Sequence, residues 1–390
     1  MENKDLIMAH QIAEKVDAAG GRTYFIGSFV RDQLLNKENK DIDIEIHGIS
    51  SEKLEEILDG LGERTVMGTG FGILGLRHFG LEIVMPGKET AEDKAAQRRD
   101  FTMNSLMQNV LTGEILDFFG GQKDLEHKVV RHVKAETFVE EPLLVLRAAQ
   151  YAARFEFAVA EDTVELCSKM DLSGLAKERI NDELEMALTK AKKPSIFFEE
   201  MRKMNQLSVW FPEIAELQNV EQDLRHHPEG NVWNHTMMVL DSAASLRDKA
   251  TDPFFFMLSA LCHDFGKILT TKEKDGRIHA YGHEVKGLPL IDRFLSRLTN
   301  ENAVHNYVLN MAKLHMKPNM MYRQKAGRKA FMKMFEQSVS PKDLLLLTKA
   351  DRLGRGNVSS YEETEAFLQE QLAVFDKLRA DHVLKSIYER

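Results

Sequence analysis

One short run constrains this chain more than any other. From Asp41 to Ile46 the sequence reads D-I-D-I-E-I, placing Asp41, Asp43 and Glu45 on one side and Ile42, Ile44 and Ile46 on the other. Period-two alternation of this kind predicts a half-buried β-strand with one apolar face. Its polar face sets Asp41 and Asp43 side by side, roughly 7 Å apart along the strand. Two carboxylates that close repel unless a cation lies between them. Mg²⁺ suits such a pair, because it takes oxygen ligands and keeps positions free for substrate phosphates. The pair then points to two-metal phosphoryl transfer. A solvated edge strand would show the same alternation, so the upstream residues have to decide.

Arg22-Thr-Tyr-Phe-Ile26 reads as a strand, and Gly27-Ser28 breaks it. Val30, Leu34 and Leu35 then share a helical stripe. A strand, a tight Gly-Ser turn and a helix start present backbone N–H groups that suit a triphosphate. Ser28 adds a hydroxyl, Arg31 a fork of donors, and Asp32 either orients Arg31 or caps locally. The string G-S-F-V-R-D-Q-L-L…D-I-D-I-E-I-H-G resembles the nucleotidyltransferase superfamily with a polymerase-β-like head. Within it, the string is similar to the class II tRNA nucleotidyltransferase (CCA-adding) and bacterial poly(A) polymerase family.

The bounds of the chain agree. Its 390 residues allow two or three domains, and 43% hydrophobic with 29% charged residues is the balance of a globular protein. No apolar run reaches bilayer length, and Met1 to Ala18 reads as a charged amphipathic helix rather than a signal peptide. Cys167 and Cys262 lack metal-ligand spacing, which fits a reducing cytoplasm and no membrane partner. The net charge of −9 argues against a surface that coats nucleic acid throughout, and leaves room for a local basic groove.

Residues 1 to about 120 read as α/β. Ser51 to Leu61 is helical, with Leu54, Ile57, Leu58 and Leu61 at core spacing; a Gly-rich strand-like stretch starts at Gly68, and Leu81-Glu-Ile-Val is a further strand. Glu82 is either a third carboxylate near Asp41 and Asp43 or a surface strand residue. In Arg98-Arg-Asp-Phe-Thr-Met-Asn-Ser, Arg98 and Arg99 are candidate triphosphate clamps, Asp100 an orienting group, and Asn104 a contact to ribose or base. This string is similar to the family's R-R-D-F-T-I-N-A motif.

From about residue 124 the pattern is helical. Glu140-Glu-Pro-Leu-Leu-Val-Leu-Arg resembles the helix that reads the incoming base in the CCA-adding family, where E-D-x-x-R-x-x-R is expected. Glu141 stands where the family has Asp and Leu144 where it has Arg; Arg147 and Arg154 stay in register. Leucine removes the donors a hydrogen-bonding site selects with. The segment between Glu82 and Arg98 is also shorter than the family's flexible connection. Both departures imply partial, relaxed or altered nucleotide choice. Glu183, in K-E-R-I-N-D-E, is expected to brace this region by ion pairing.

A separate constellation follows. His226-His-Pro-Glu-Gly-Asn-Val-Trp-Asn-His235, Cys262-His263-Asp264 and Asp351 form the H…HD…D pattern of the HD phosphohydrolase superfamily. Imidazoles with carboxylates suit Mg²⁺, Mn²⁺ or Ni²⁺ and an activated water. The resemblance implies His235, His263, Asp264 and Asp351 as metal ligands, with His283 and His315 as further ligands or substrate contacts and Lys267 near phosphate. An appended HD domain of this type occurs in one bacterial branch of the same family, and the resemblance covers roughly residues 20 to 360.

The reading is thus an α+β chain: head 1–123, helical neck 124–220, HD domain 221–360 and C-terminal helix 361–390. The resemblance implies addition of nucleotides from CTP or ATP to a tRNA or other RNA 3′ end. Asp41 and Asp43 would hold Mg²⁺; Gly27, Ser28, Arg31, Arg98, Arg99, Asp100, Asn104, Glu141 and Arg147 would bind the nucleotide. Two rivals remain: an HD phosphatase or cyclic phosphodiesterase whose head only grips RNA ends, and a non-catalytic RNA-binding protein.

Overall fold

The computed structural model describes residues 4–67, 73–86, 90–225, 227–356 and 361–381. It divides into two compact units, Met1–Leu144 with Phe157–Cys167, and Val145–Glu156 with Ser168–Arg390. The α+β class holds.

The first unit is built on a seven-stranded sheet. Its strands are β1 (Arg22–Ile26), β2 (Ile42–His47), β3 (Arg64–Met67), β4 (Ile73–Leu76), β5 (Leu81–Val84), β6 (Met107–Asn109) and β7 (Ile115–Leu116). Their order is β3-β4-β5-β2-β1-β6-β7. β2 runs antiparallel to β1 and parallel to β5. Ile42, Ile44 and Ile46 are fully buried, as the alternation requires. The helix Lys4–Ala18 buries Met8, Ile12 and Val16 at four-residue spacing. The Gly-rich run was read as strand-like from Gly68; residues 68–72 lie outside those described, and β4 begins at Ile73.

Two details depart from the sequence reading. The polar side of β2 is not solvated along its length, since Glu45 and His47 are both buried. Beyond residue 124 the chain is not wholly helical: Val129–Val130 pairs with Ala158–Val159, and Lys272–Lys274 forms a hairpin with Arg277–His279. These strands are two or three residues long, too short for periodicity to reveal.

The second unit is otherwise helical. At its centre lies Pro253–Cys262, with Phe256 to Cys262 all buried. It packs against Val232–Ala244 and Asn302–Leu314. Asp252 caps its start by accepting from the Phe255 N–H, and Pro253 occupies the first turn, where no N–H is needed. Ser340 and Pro341 open Pro341–Leu353 in the same way. Among the described residues no helix is long and apolar enough to cross a membrane.

Candidate active sites of the two units

In the first unit, Gly27 ends β1 and caps the helix Ser28–Leu34 at φ 64° and ψ −129°, a conformation only glycine adopts freely. Asp41 stands just ahead of β2, exposed, its N–H donating to the Asn39 side-chain oxygen at 2.9 Å. Asp43 lies within β2, and the parallel register pairs it with Glu82 of β5. Of the two readings of Glu82, the register favours the third carboxylate. Burial pushes the Asp43 carboxyl up to about 6, the charges of Glu82 and Asp41 add to this, and Arg99 opposes it. Three carboxylates gathered this way favour a hard divalent ion, and an all-oxygen donor set fits Mg²⁺.

A buried network fixes these groups. The Arg31 guanidinium is 2% exposed; its Nε pairs with Asp32 Oδ1 at 2.8 Å and its Nη1 donates to Asn104 Oδ1 at 2.8 Å. Asn104 in turn donates to Asp100 Oδ1 at 2.9 Å. Asn39 donates to Asp32 Oδ2 at 2.9 Å and to Ser28 Oγ at 3.2 Å. Turn, helix and strand start are thereby tied together. Arg31 and Asn104, both expected to contact the nucleotide, are buried here and bonded to protein groups. Asn39 escaped the sequence reading, because a lone asparagine among lysines and glutamates carries no pattern.

Arg99 is also engaged. Its Nη2 lies 2.7 Å from Glu45 Oε2, while His47 Nε2 lies 2.8 Å from Glu45 Oε1. Burial pushes the Glu45 carboxyl up, but these two partners outweigh it and hold it below the usual carboxylate range. Arg98 is exposed and, among the described residues, forms no ion pair. Glu141 precedes the helix Leu144–Phe155, its Oε1 accepting from the Leu143 N–H at 3.4 Å. In the second unit, Arg147 Nε lies 3.5 Å from Glu183 Oε1, the brace expected of Glu183.

The second unit gathers a histidine–carboxylate cluster. His235 sits on Val232–Ala244, His263 and Asp264 follow Pro253–Cys262, and Asp351 lies on Pro341–Leu353. Nε2 of His235 lies 3.1 Å from Asp351 Oδ1 and 3.5 Å from Asp264 Oδ2, and Nε2 of His263 lies 3.3 Å from the same Oδ2. The four expected ligands therefore meet. His283 and His315 join them: their Nε2 atoms lie 3.1 and 3.8 Å from Asp264 Oδ1.

Tautomers sharpen the picture. Nδ1 of His263, His283 and His315 donates to the carbonyl of Ala260, Ala280 and Ala312 at 2.7, 2.8 and 2.6 Å, and a carbonyl only accepts. Each Nε2 thus presents a lone pair. Nε2 of His263 faces that of His235 at 3.4 Å, and His283 faces His315 at 3.4 Å. Opposed lone pairs in a buried site repel, and either a proton on one ring or a metal ion between the two removes that repulsion. Asp264 is shared, one oxygen to each histidine pair, so the donor set fits two neighbouring divalent ions. Mixed imidazole and carboxylate donors favour a transition metal such as Mn²⁺ or Ni²⁺, with Mg²⁺ the harder alternative.

Neighbouring groups support the ligands. His235 Nδ1 and His227 Nδ1 both lie 2.8 Å from Glu229 Oε1, a carboxylate that orients a ligand imidazole. Lys267 Nζ lies 2.7 Å from Asp264 Oδ2 and donates to Gln222 at 2.6 Å. Arg355 Nη2 lies 3.1 Å from both Asp351 oxygens. Burial pushes Asp264 up, but Lys267 and His263 hold it well below the carboxylate range. Asp264, Lys267, His283, His315, Asp351 and Arg355 line one cleft of about 260 Å³. Glu229 and Arg355 carried no motif of their own and were missed; His226 lies outside the described residues.

The acidic strand cluster lies in a nucleotidyltransferase head and the histidine–carboxylate cluster in an HD domain. Residues 82–131 match the Poly A polymerase head domain family, and residues 232–356 the HD domain family. The multifunctional CCA protein of Actinobacillus pleuropneumoniae serotype 5b is 33% identical over 374 residues, 88% of each chain. That of Haemophilus ducreyi is 34% identical over 317 residues, 75% of this chain and 74% of its own. The chain belongs to the family of the multifunctional CCA proteins. In fold it is similar to the Thermotoga maritima CCA-adding enzyme complexed with tRNA, with a TM-score of 0.66 at 20% identity over 96% of this chain and 83% of that one. A tRNA-processing enzyme gives 0.62 at 20% identity over 92% and 99%.

Proposed function

We propose that this chain adds nucleotides to the 3′ end of tRNA and hydrolyses phosphoesters in its HD domain, within the cytoplasm. Asp43 carries the reading: half-buried in β2, it sits in register with Glu82 and its carboxyl is pushed up to about 6. The RNA 3′-hydroxyl attacks the α-phosphate of CTP or ATP and pyrophosphate leaves. Mg²⁺ held by Asp41, Asp43 and Glu82 would stabilise the attacking and leaving oxygens. Gly27 and Ser28 offer the turn on which the triphosphate rests. Arg98, Arg99 and Asp100 border it, and Arg31 and Asn104 hold the turn in place. Glu141 and Arg147 remain the base-facing candidates, with Leu144 removing one donor set. We assign residues 1–123 to the head, 124–220 to the neck, 221–360 to the HD domain and 361–390 to the C-terminal helix.

In the HD domain, His235, His263, Asp264 and Asp351 form one metal position, and Asp264, His283 and His315 a second. Divalent ions there would polarise a phosphoester and activate water. Arg355 and Lys267 steady the carboxylates and carry positive charge into the cleft. Cyclic or 2′-phosphate RNA ends, which block nucleotide addition, are the substrates this pairing of sites suggests.

Asp41→Ala should abolish nucleotide incorporation and spare phosphoester hydrolysis, while Asp264→Ala should do the reverse. Incorporation that survives Asp41→Ala would refute the head assignment.

A further inference from the structure

This chain holds 61 acidic and 52 basic residues, yet from Asn302 to Phe335 it contains no aspartate or glutamate and seven lysines and arginines. This stretch builds helix Asn302–Leu314, helix Lys317–Arg323 and most of helix Arg328–Gln337. The apolar side of the last helix is covered. Phe331 and Phe335 pack on Phe367 and Phe375 of Glu362–Ala380 with ring centroids 5.5 and 5.4 Å apart. Arg323, Lys325, Arg328, Lys329 and Lys333 stay exposed, and among the described residues none forms an ion pair. Exposed cations of one sign repel one another, a cost that an anionic partner removes.

The face leads to the metal cluster. Arg323, Arg352, Arg355 and Asp351 line one cavity of about 210 Å³. Asp351, Arg355 and Met316 also line the larger cleft that holds Asp264, His283 and His315. Shared lining residues therefore join Arg323, at the end of helix Lys317–Arg323, to the ligands. Lys329 and Lys333 stand one turn apart on an exposed helix side, about 6 Å along the axis at 1.5 Å per residue.

We infer that this face binds the sugar–phosphate backbone of an RNA strand whose terminal phosphate enters the HD cleft. The inference rests on the phosphoesterase reading of that cleft and assigns it a polynucleotide rather than a free nucleotide. Backbone contacts of this kind carry no base specificity, so the face accepts RNA ends irrespective of sequence. Arg323 lies nearest the cleft, and Lys329 and Lys333 hold the strand further out.

The test compares wild type with the triple variant Arg323→Ala/Lys329→Ala/Lys333→Ala on two substrates, 2′,3′-cyclic AMP and a tRNA ending in a 2′,3′-cyclic phosphate. All three side chains are exposed, and unchanged cyclic AMP hydrolysis checks that the variant is folded. KM for the tRNA should rise by about tenfold or more with kcat unchanged, and its log–log salt slope should fall by roughly 2, at about 0.7 per lost phosphate contact. KM for cyclic AMP should not move. Equal changes on both substrates, or none on tRNA, would overturn the inference. If wild type hydrolyses neither substrate, the phosphoesterase reading fails. The face is then judged by tRNA affinity: weaker binding by the variant supports it, and unchanged binding overturns it.

Discussion

Arg31 offers the sharpest test of how the head is built. The reading from sequence made it a phosphate donor; the structure buries it between Asp32 and Asn104. Arg31→Met keeps the volume and removes the charge. Asp32, itself 7% exposed, then keeps only the Asn39 hydrogen bond among these partners, and Asn104 loses a charged donor. Breaking a buried ion pair from one side costs about 3–5 kcal/mol. The Asn39 bond, retained by Asp32, places the expected loss near the lower end, about 3 kcal/mol. At roughly 2–4 °C per kcal/mol for a unit of this size, its unfolding midpoint should fall by roughly 6–12 °C. Calorimetry on the intact chain reads this directly. Adding Asp32→Asn should recover part of the loss, because the orphaned charge is gone. A variant within about 0.5 kcal/mol of wild type, the range of ordinary surface substitutions, that only raised KM for the nucleotide would refute the argument.

Two further outcomes follow from particular contacts. A methyl group on Gly266 would stand 1.9 Å from the His283 carbonyl oxygen, so Gly266→Ala must push the His283 segment away; bound metal per chain should drop and cyclic-phosphate hydrolysis should fall at least tenfold, with nucleotide incorporation kept. Both thiols are fully buried, and burial pushes Cys167 up to about 12 and Cys262 well above its ordinary value; a thiol reagent at pH 8 should label neither in the folded protein and both after denaturation.

Local pattern revealed what local pattern governs. The isoleucines of β2 alternate because one face of the strand is core, so Asp41 and Asp43 could be read from six letters. That His235, His263, Asp264 and Asp351 would gather was legible because their H…HD…D pattern resembles that of a known superfamily. Glu82 was ambiguous, since only the parallel register of β5 on β2, set by chain between them, brings it beside Asp43. His283 and His315 were visible as histidines, but their pairing depends on two helices meeting and on carbonyls that fix their tautomers. Glu45 defeated the alternation rule, because His47 and Arg99 let a carboxylate stay buried on the side expected to face water. Arg31 stays buried for the same reason: a guanidinium satisfied by Asp32 and Asn104 need not face solvent.

The most direct measurement supplies Mg²⁺, each labelled nucleoside triphosphate singly, and tRNA ending before, within and after its terminal CCA. The account predicts incorporation onto the incomplete ends, none onto the finished one, and loss of all incorporation in Asp43→Asn. Strict C-then-A order would show that Glu141 and Arg147 suffice for selection beside Leu144, whereas mixed addition would show that the missing arginine relaxes it. Failure of the wild-type chain to incorporate any nucleotide would contradict the account.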